Sequence, residues 1–393
     1  MSAHAFLSCS GAYRWMTCPG SPRLEAQFPR QESVYAAEGT TAHSLLETAL
    51  LLGESDIAAA VPLVEGSNIE MADTLQPVMA WVADLLAERP NATLFIERRV
   101  NPGATLGRED LWGTCDLLIF DPDGSELIVG DLKYGAGHAV EAVGNVQLRL
   151  YALGALAIFQ PMTDRPIERV TTAILQPRAI HAAGPVRTET LSVADLDTFA
   201  AGVRAAAVAT EDPEALLVAG DHCTFCRAAG GCPELSAVAL TAARDAFRSV
   251  DQPLEPSRIA ILLAQADTIR SWLKALESHA LFLARAGTEI PGFKLQGRRG
   301  HRAWADAESA LAILTETYGL DPDLIAPRKL ATPRQVEMAV KRATGSKADL
   351  SPLVRVPDLG PRLVPDSAPG EDDPFTQALA WFAGLEDEAA NDA

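Results

Sequence analysis

The sequence predicts a mixed α/β protein in which a central sheet is flanked by helices. Three observations predict it. Between Leu111 and Asp131 two apolar runs, Leu117–Phe120 and Leu127–Val129, face each other across the turn signal Asp121-Pro122-Asp123-Gly124-Ser125, which reads as a β-hairpin. Segments with helical spacing stand on either side, at 38–53, about 71–89 and 142–160. Further strand-like stretches, LFIERRVN before the hairpin and ERVTTAILQPR after it, extend the sheet.

The hairpin carries chemistry. Asp116 begins its first strand and Asp131 ends its second, so antiparallel pairing brings both carboxylates to one end. In Asp131-Leu132-Lys133 the period of two puts Asp131 and Lys133 on one face. Two acids and a lysine converging at a sheet end can hold a divalent ion and a water, because such groups are costly to desolvate unless paired or metal-bound. For Asp-x-Lys alone, a surface salt bridge on a hairpin edge is the competing reading. Helical spacing adds partners. His43 and Glu47 are four residues apart upstream, and Gln147 and Tyr151 four apart downstream, each pair on one helix face.

Six cysteines are present. Cys223, Cys226 and Cys232 form Cys-x2-Cys-x5-Cys in HCTFCRAAGGCPEL, and Cys18 sits far upstream in WMTCPGSPRL. Thiolate-only ligation suits iron–sulfur and zinc alike on softness grounds. No secretory segment is visible, so a reducing cytoplasm is expected and disulfides are not. Cys9 and Cys115 read as packing cysteines, with Cys9 the rival of Cys18 as first ligand. Trp15 is expected beside Cys18.

The order His43, Asp116, Asp131-x-Lys133, Gln147-x3-Tyr151 resembles the RecB-like branch of the PD-(D/E)XK nucleases. One early cysteine plus a late triplet resembles its iron–sulfur members. LSCSGAYRWMTCPGS, AAEGTTAHSLLE, LWGTCDLLIF, IVGDLKYGAGHAVEAVGNVQLRLYALGAL, PGFKLQGRRGHRAW and LATPRQVE together resemble a phage and prophage family of such nucleases. The resemblance implies a restriction-endonuclease-like core with a [4Fe–4S] staple on Cys18, Cys223, Cys226 and Cys232, with zinc as the alternative. It implies Mg²⁺ or Mn²⁺ held by His43, Asp116, Asp131 and the Leu132 carbonyl. Lys133 would orient the attacking water, and Gln147 and Tyr151 would position substrate. Glu47 and Glu97 are secondary candidates for completing the shell. The implied activity is DNA cleavage, as an exonuclease on single strands or DNA ends, in phage recombination, repair or replication, inside a bacterial or phage-infected cytoplasm. A phage single-strand-binding or annealing protein is the implied partner. A catalytically silent DNA-binding or scaffold module, and a zinc-stapled structural protein, are the alternatives from other classes.

Composition bounds the rest. The chain has 393 residues, is 48% hydrophobic and carries a net charge of −19. A broad basic nucleic-acid-coating surface is excluded, although a narrow basic channel is not. No apolar run is long enough to span a bilayer. From Asp366 onward there are eight acids and no Lys or Arg, leaving −11 for the preceding part. The expected organisation is a nuclease core with the cysteine site at 1–240, a helical appended region at 241–365 and a disordered acidic tail at 366–393. Within the appended region a long helix is expected from Glu255 to Ala286. KLQGRRGHRAW then gathers Lys294, Arg298, Arg299, His301 and Arg302 beside Trp304, a candidate phosphate-contacting loop with a base-stacking tryptophan. Charge neutralisation by a solvated loop is the plain alternative.

Overall fold

The structure is a computed structural model. It describes residues 5–29, 34–136, 139–247 and 255–296, together with 313, 315 and 316. The chain divides into two compact units, Met1–Ala280 with Val364–Ala393, and Leu281–Leu363.

The elements run β1 (Leu7–Ser8), α1 (Ala12–Thr17), α2 (Ser21–Glu25), α3 (Val34–Leu52), α4 (Ile69–Ala87), β2 (Thr93–Val100), α5 (Gly103–Leu106), β3 (Leu111–Asp121), β4 (Glu126–Leu132), α6 (Val146–Phe159), β5 (Arg169–Leu175), β6 (Val186–Ser192), α7 (Val193–Ala209), α8 (Pro233–Phe247) and α9 (Pro256–Arg285). The sheet is mixed and six-stranded, in the order β1-β3-β4-β5-β6, with β2 also paired to β3. β3–β4 is the expected hairpin, in register from Leu117–Gly130 to Asp121–Glu126. β4 and β5 run parallel, joined through α6.

Helices cover both faces. α6 has Leu148, Leu150, Tyr151, Ala152, Leu153, Ala155 and Phe159 buried, and it packs with α7, Trp15 and the Leu118, Leu127 and Val129 side of the sheet. Its N-terminus is capped by Asn145, whose side chain accepts from the Leu148 N–H. On the other face α3 and α4 bury Ala42, Leu45, Ala49, Leu75, Val78 and Val82 against Leu117, Ile119, Ile128 and Leu132. The burial of Leu132 on one face and Asp131 toward α6 follows from strand alternation.

Several expectations need correction. The alanine-rich run from Ala194 to Val218 reads as helical throughout, but its helix begins at Val193 under a Ser192–Asp195 capping box and stops at Ala209. Pro213 and the acids before it end it, since the residue preceding a proline disfavours the helical region. β6, with alternating Thr188, Thr190 and Leu191, and the two-residue β1 have too few apolar residues to stand out from sequence. Across the position 240 of the expected boundary, α9 packs back on the cysteine-bearing segment: Trp272 and Ala275 pack against Ala229, Cys232 and Leu235, and the Trp272 indole donates to Ser236 Oγ at 3.0 Å. Trp15 joins the α6 core and donates to the Ser8 carbonyl, instead of lining the cysteine site. The acidic tail at 366–393 and nearly all of the appended region beyond Gln296 lie outside the described residues.

One glycine is dictated by packing. A Cβ at Gly113 would stand 2.8 Å from Tyr151 Cε1 and 3.0 Å from both Cβ and Sγ of Cys9. Gly113→Ala is therefore expected to cost about 1–3 kcal/mol through overpacking of the α6–β3 contact. Thermal unfolding of the variant against wild type checks this; an unchanged Tm would mean that α6 yields freely.

Candidate functional site

His43, Glu97 and Asp116 come together from three elements. Their ligand atoms all lie within 4.8 Å of one another. His43 Nδ1 is 3.4 Å from Asp116 Oδ1 and 3.7 Å from Glu97 Oε1. α3 supplies His43 from the edge of its buried stripe, and Gly39, Thr40, Ser44 and Glu47 of that helix line the same pocket.

How Glu97 and Asp116 arrive there is a property of the sheet. They face each other between the paired residues Ile96–Leu117 and Arg98–Cys115. Phe95 and Val100 of β2 pack into the α6 core, as do Cys115 and Leu118 of β3. Regular alternation would send Glu97 to the α6 face with Phe95, and Asp116 there with Leu118. Glu97 instead has φ +47°, a left-handed conformation uncommon for a residue with a side chain. Both strands change face at this rung, and both carboxylates turn toward α3. Sequence reasoning ranked Glu97 second because nothing in LFIERRVN announces the break.

Asp131 and Lys133 lie beside this trio on the α6 side. Asp131 is buried, and its Oδ1 accepts from the Gln147 amide at 2.5 Å. Lys133 Nζ approaches Asp131 Oδ2 to 2.7 Å and Gln147 Oε1 to 3.2 Å. The ammonium meets Oδ2 outside hydrogen-bond geometry, so among the described residues this buried oxygen has an ionic neighbour but no hydrogen-bond donor. The two groups are joined by the backbone, because the Leu132 N–H donates to Asp116 Oδ2 at 2.5 Å. Gln147 also donates to Tyr151 Oη at 2.9 Å.

The electrostatics fit a cation site. Burial works to lower the His43 pKa, yet its contacts with Asp116 and Glu97 and the charge of Asp131 outweigh burial and push it up to about 10. Positive charge is thus stabilised where the donors meet. Burial pushes Asp131 up to about 6, against the pull of Lys133 and aided by the charge of Asp116. Burial also raises the Tyr151 phenol well above its usual range, so it acts as a neutral hydrogen-bonding group. Two carboxylates and an imidazole are hard and borderline donors. They suit Mg²⁺ or, with nitrogen present, Mn²⁺. His43 and Glu97 are each about one-third exposed, which leaves room for waters and a phosphate.

A second cavity gathers thiols. Cys18, Cys223, Cys226 and Cys232 line it together with Arg14, Ser21, Leu24, Leu217, Val218 and His222. Cys9 is instead buried in the α6 core, and Cys115 is buried with its thiol toward the Leu117 and Gly130 carbonyls. Two backbone N–H groups point at sulfur: Val218 to Cys18 Sγ at 3.3 Å and Gly220 to Cys223 Sγ at 3.4 Å. Burial pushes the Cys226 thiol up to about 12, with the Glu25 carboxylate adding to it, and burial raises Cys18 and Cys223 also. A bound cation of thiophilic character reverses that balance, since metal binding releases the thiol protons. The four thiols share this cavity wall, although no three of them come within 4.8 Å of one another as the His43, Glu97 and Asp116 donors do. Around the cavity the N-terminal segment is tied to residues 216–227 by Gly20 N–H to Leu216 O at 2.9 Å, Arg14 to Phe225 O at 3.2 Å and Arg227 N–H to Glu25 Oε1 at 2.9 Å, with Arg14 held in place by Glu25 at 3.1 Å. The buried His222 donates from Nε2 to the Val218 carbonyl at 2.8 Å and meets the Tyr13 ring edge-on, and sequence reading passed over it despite its place beside Cys223.

Of the basic loop, Lys294 is exposed, whereas Arg298, Arg299, His301, Arg302 and Trp304 lie outside the described residues.

Fold and site together define a mixed α/β protein with an acid–imidazole cluster at one sheet edge and a four-thiol cavity. The chain belongs to the family described as Protein of unknown function (DUF2800), which matches residues 4–371. Among solved structures it is similar to one titled "Crystal structure of SSO0001", at 13% identity over 57% of this chain and 95% of that one. The TM-score there is 0.21, too low to establish a common fold. No helix among the described residues is long and apolar enough to cross a membrane.

Proposed function

We propose that this protein is a divalent-metal-dependent deoxyribonuclease, with a restriction-endonuclease-like PD-(D/E)XK core of the RecB-like kind. The observation that carries the reading is the convergence of His43, Glu97 and Asp116 within 4.8 Å, coupled through the Leu132 N–H to the Asp131–Lys133 pair. Hard oxygen and nitrogen donors at that place would hold Mg²⁺ or Mn²⁺, and a bound ion supplies Lewis-acid activation of water and phosphate. His43, Glu97 and Asp116 are the ligands, with the Oδ2 of Asp131 available as a further donor. Lys133 sits where its ammonium can hold the attacking water and offset the charge that builds on the phosphoryl oxygens. Gln147 fixes Lys133 and Asp131 relative to each other, and Tyr151 fixes Gln147. Glu47 stands at the pocket wall, within reach of waters around the ion.

The cysteine cavity we assign as a structural [4Fe–4S] site, with zinc as the alternative thiophilic metal. Supporting it are four thiols on one cavity and two N–H groups aimed at sulfur, an environment that lowers the cost of thiolate charge. The proposed setting is phage or prophage DNA metabolism, with DNA ends or single strands as substrate and a single-strand-binding or annealing protein as partner. The basic segment Lys294–Trp304 is a proposed outer DNA contact.

The test uses the full chain, purified anaerobically and freed of loosely bound metal with EDTA. End-labelled single- and double-stranded DNA should be cleaved when Mn²⁺ is added and not before. Absence of cleavage together with absence of Mn²⁺ binding by calorimetry would overturn the reading. Glu97→Gln provides a sharper check, because it removes one ligand charge and leaves Asp131 and Lys133 untouched. Mn²⁺ affinity is expected to fall roughly 10–100-fold. Unchanged affinity would remove Glu97 from the ligand set.

A further inference from the structure

The change of face at Glu97 has a second effect. Past it, Arg98 lies over the Phe95 ring at 5.8 Å and Val100 enters the α6 core, so alternation places Arg99 on the face that carries Glu97. On β3, Gly113 and Cys115 face the α6 side, which leaves Trp112 on the face of Asp116. There the Arg99 guanidinium stacks on the Trp112 ring, 3.9 Å from its centroid. Trp112 is held in turn by β1, through the parallel pairing with Ser8.

Arg99 is exposed and makes no ion pair with a carboxylate among the described residues. Its positive charge is therefore not neutralised by a neighbouring acid, unlike that of Arg14, Arg89, Arg108, Arg149, Arg178 and Arg227. Stacking on the indole fixes the plane of the guanidinium and leaves its N–H fork free to meet an anion edge-on. Two residues of strand separate Arg99 from Glu97, about 7 Å. That is of the order of one nucleotide step along a strand.

We propose that Arg99, positioned by Trp112, binds the phosphate next to the scissile one, so that the site takes a polynucleotide strand instead of a mononucleotide. The position of the scissile phosphate rests on the nuclease reading above. A single strand fits because one edge strand of the sheet offers one row of contacts, with no second row for the other strand of a duplex.

The test is direct binding in EDTA, where hydrolysis plays no part. Fluorescence anisotropy of a labelled fifteen-residue oligothymidylate is measured over a salt series for wild type, Arg99→Ala and Arg99→Lys. Arg99→Ala should bind about tenfold more weakly, as loss of one charge-assisted contact implies. Its log–log salt slope should flatten by about 0.7, the share of one phosphate contact on a single strand. Arg99→Lys should keep the slope while losing part of the affinity, because an ammonium lacks the planar fork. Thymidine 5′-monophosphate should compete no better with wild type than with Arg99→Ala. Equal affinity and slope in wild type and Arg99→Ala would overturn the proposal, as would a wild-type protein that does not bind the oligonucleotide. A protein that binds through Arg99 yet never hydrolyses DNA removes the nuclease reading and leaves the phosphate contact standing.

Discussion

Asp116→Asn and Lys133→Ala are each expected to reduce DNA cleavage by roughly a thousandfold or more, for different reasons that two measurements separate. Asp116 is the junction of the site. One oxygen faces His43 at 3.4 Å and the other accepts the Leu132 N–H. Removing its charge should abolish Mn²⁺ binding and cleavage together. Lys133 touches Asp131 and Gln147 and is not among the three converging ligands. Its loss should leave Mn²⁺ affinity within a few-fold of wild type while cleavage disappears. Calorimetry with Mn²⁺ and single-turnover cleavage of an end-labelled oligonucleotide check both. Wild-type turnover in either variant would remove that residue from the site.

Cys226→Ser is expected to bleach the absorbance near 400 nm of anaerobically purified protein and to lower Tm by roughly 10 °C or more, because metal-binding energy in such sites is folding energy. The cavity joins Cys18 to a segment over two hundred residues later, so a metal lost there would free both segments. Cys18→Ser should do the same. Cys9→Ser should leave the colour intact, since Cys9 is buried against Gly113 in the α6 core. Retained colour in Cys18→Ser would detach the N-terminal segment from the metal. A colourless wild type with bound zinc would replace iron–sulfur by the alternative metal.

The hairpin, the flanking helices and the four cysteines were legible because each rests on local pattern. Alternation fixed which faces Leu117, Ile128 and Val129 present, and helical spacing placed His43 beside Glu47. The balance between Glu97 and Asp131 was not legible. Sequence reading paired Asp116 with Asp131 as principal ligands and held Glu97 in reserve, whereas in the structure the convergent trio includes Glu97 and Asp131 is occupied by Lys133 and Gln147. The cause is a backbone conformation at one residue, φ +47° at Glu97, which reverses the alternation that any periodicity argument assumes. At Ala209 two local signals oppose each other: alanine content favours helix as far as Val218, and Pro213 ends it sooner.

The paired reversal at Glu97 and Asp116 also makes the edge of the sheet self-checking during folding. A uniform two-strand ladder tolerates sliding by two residues, because every side chain keeps its face. Here each strand carries one step, and the steps are flush in only one alignment. Shifting β2 along β3 in either direction would leave one reversal opposite regular backbone, with a carboxylate driven toward the Phe95–Phe159 packing or an apolar residue driven out of it. The rung that gathers the acids is thus the same rung that fixes strand alignment, and a misaligned edge would scatter His43, Glu97 and Asp116.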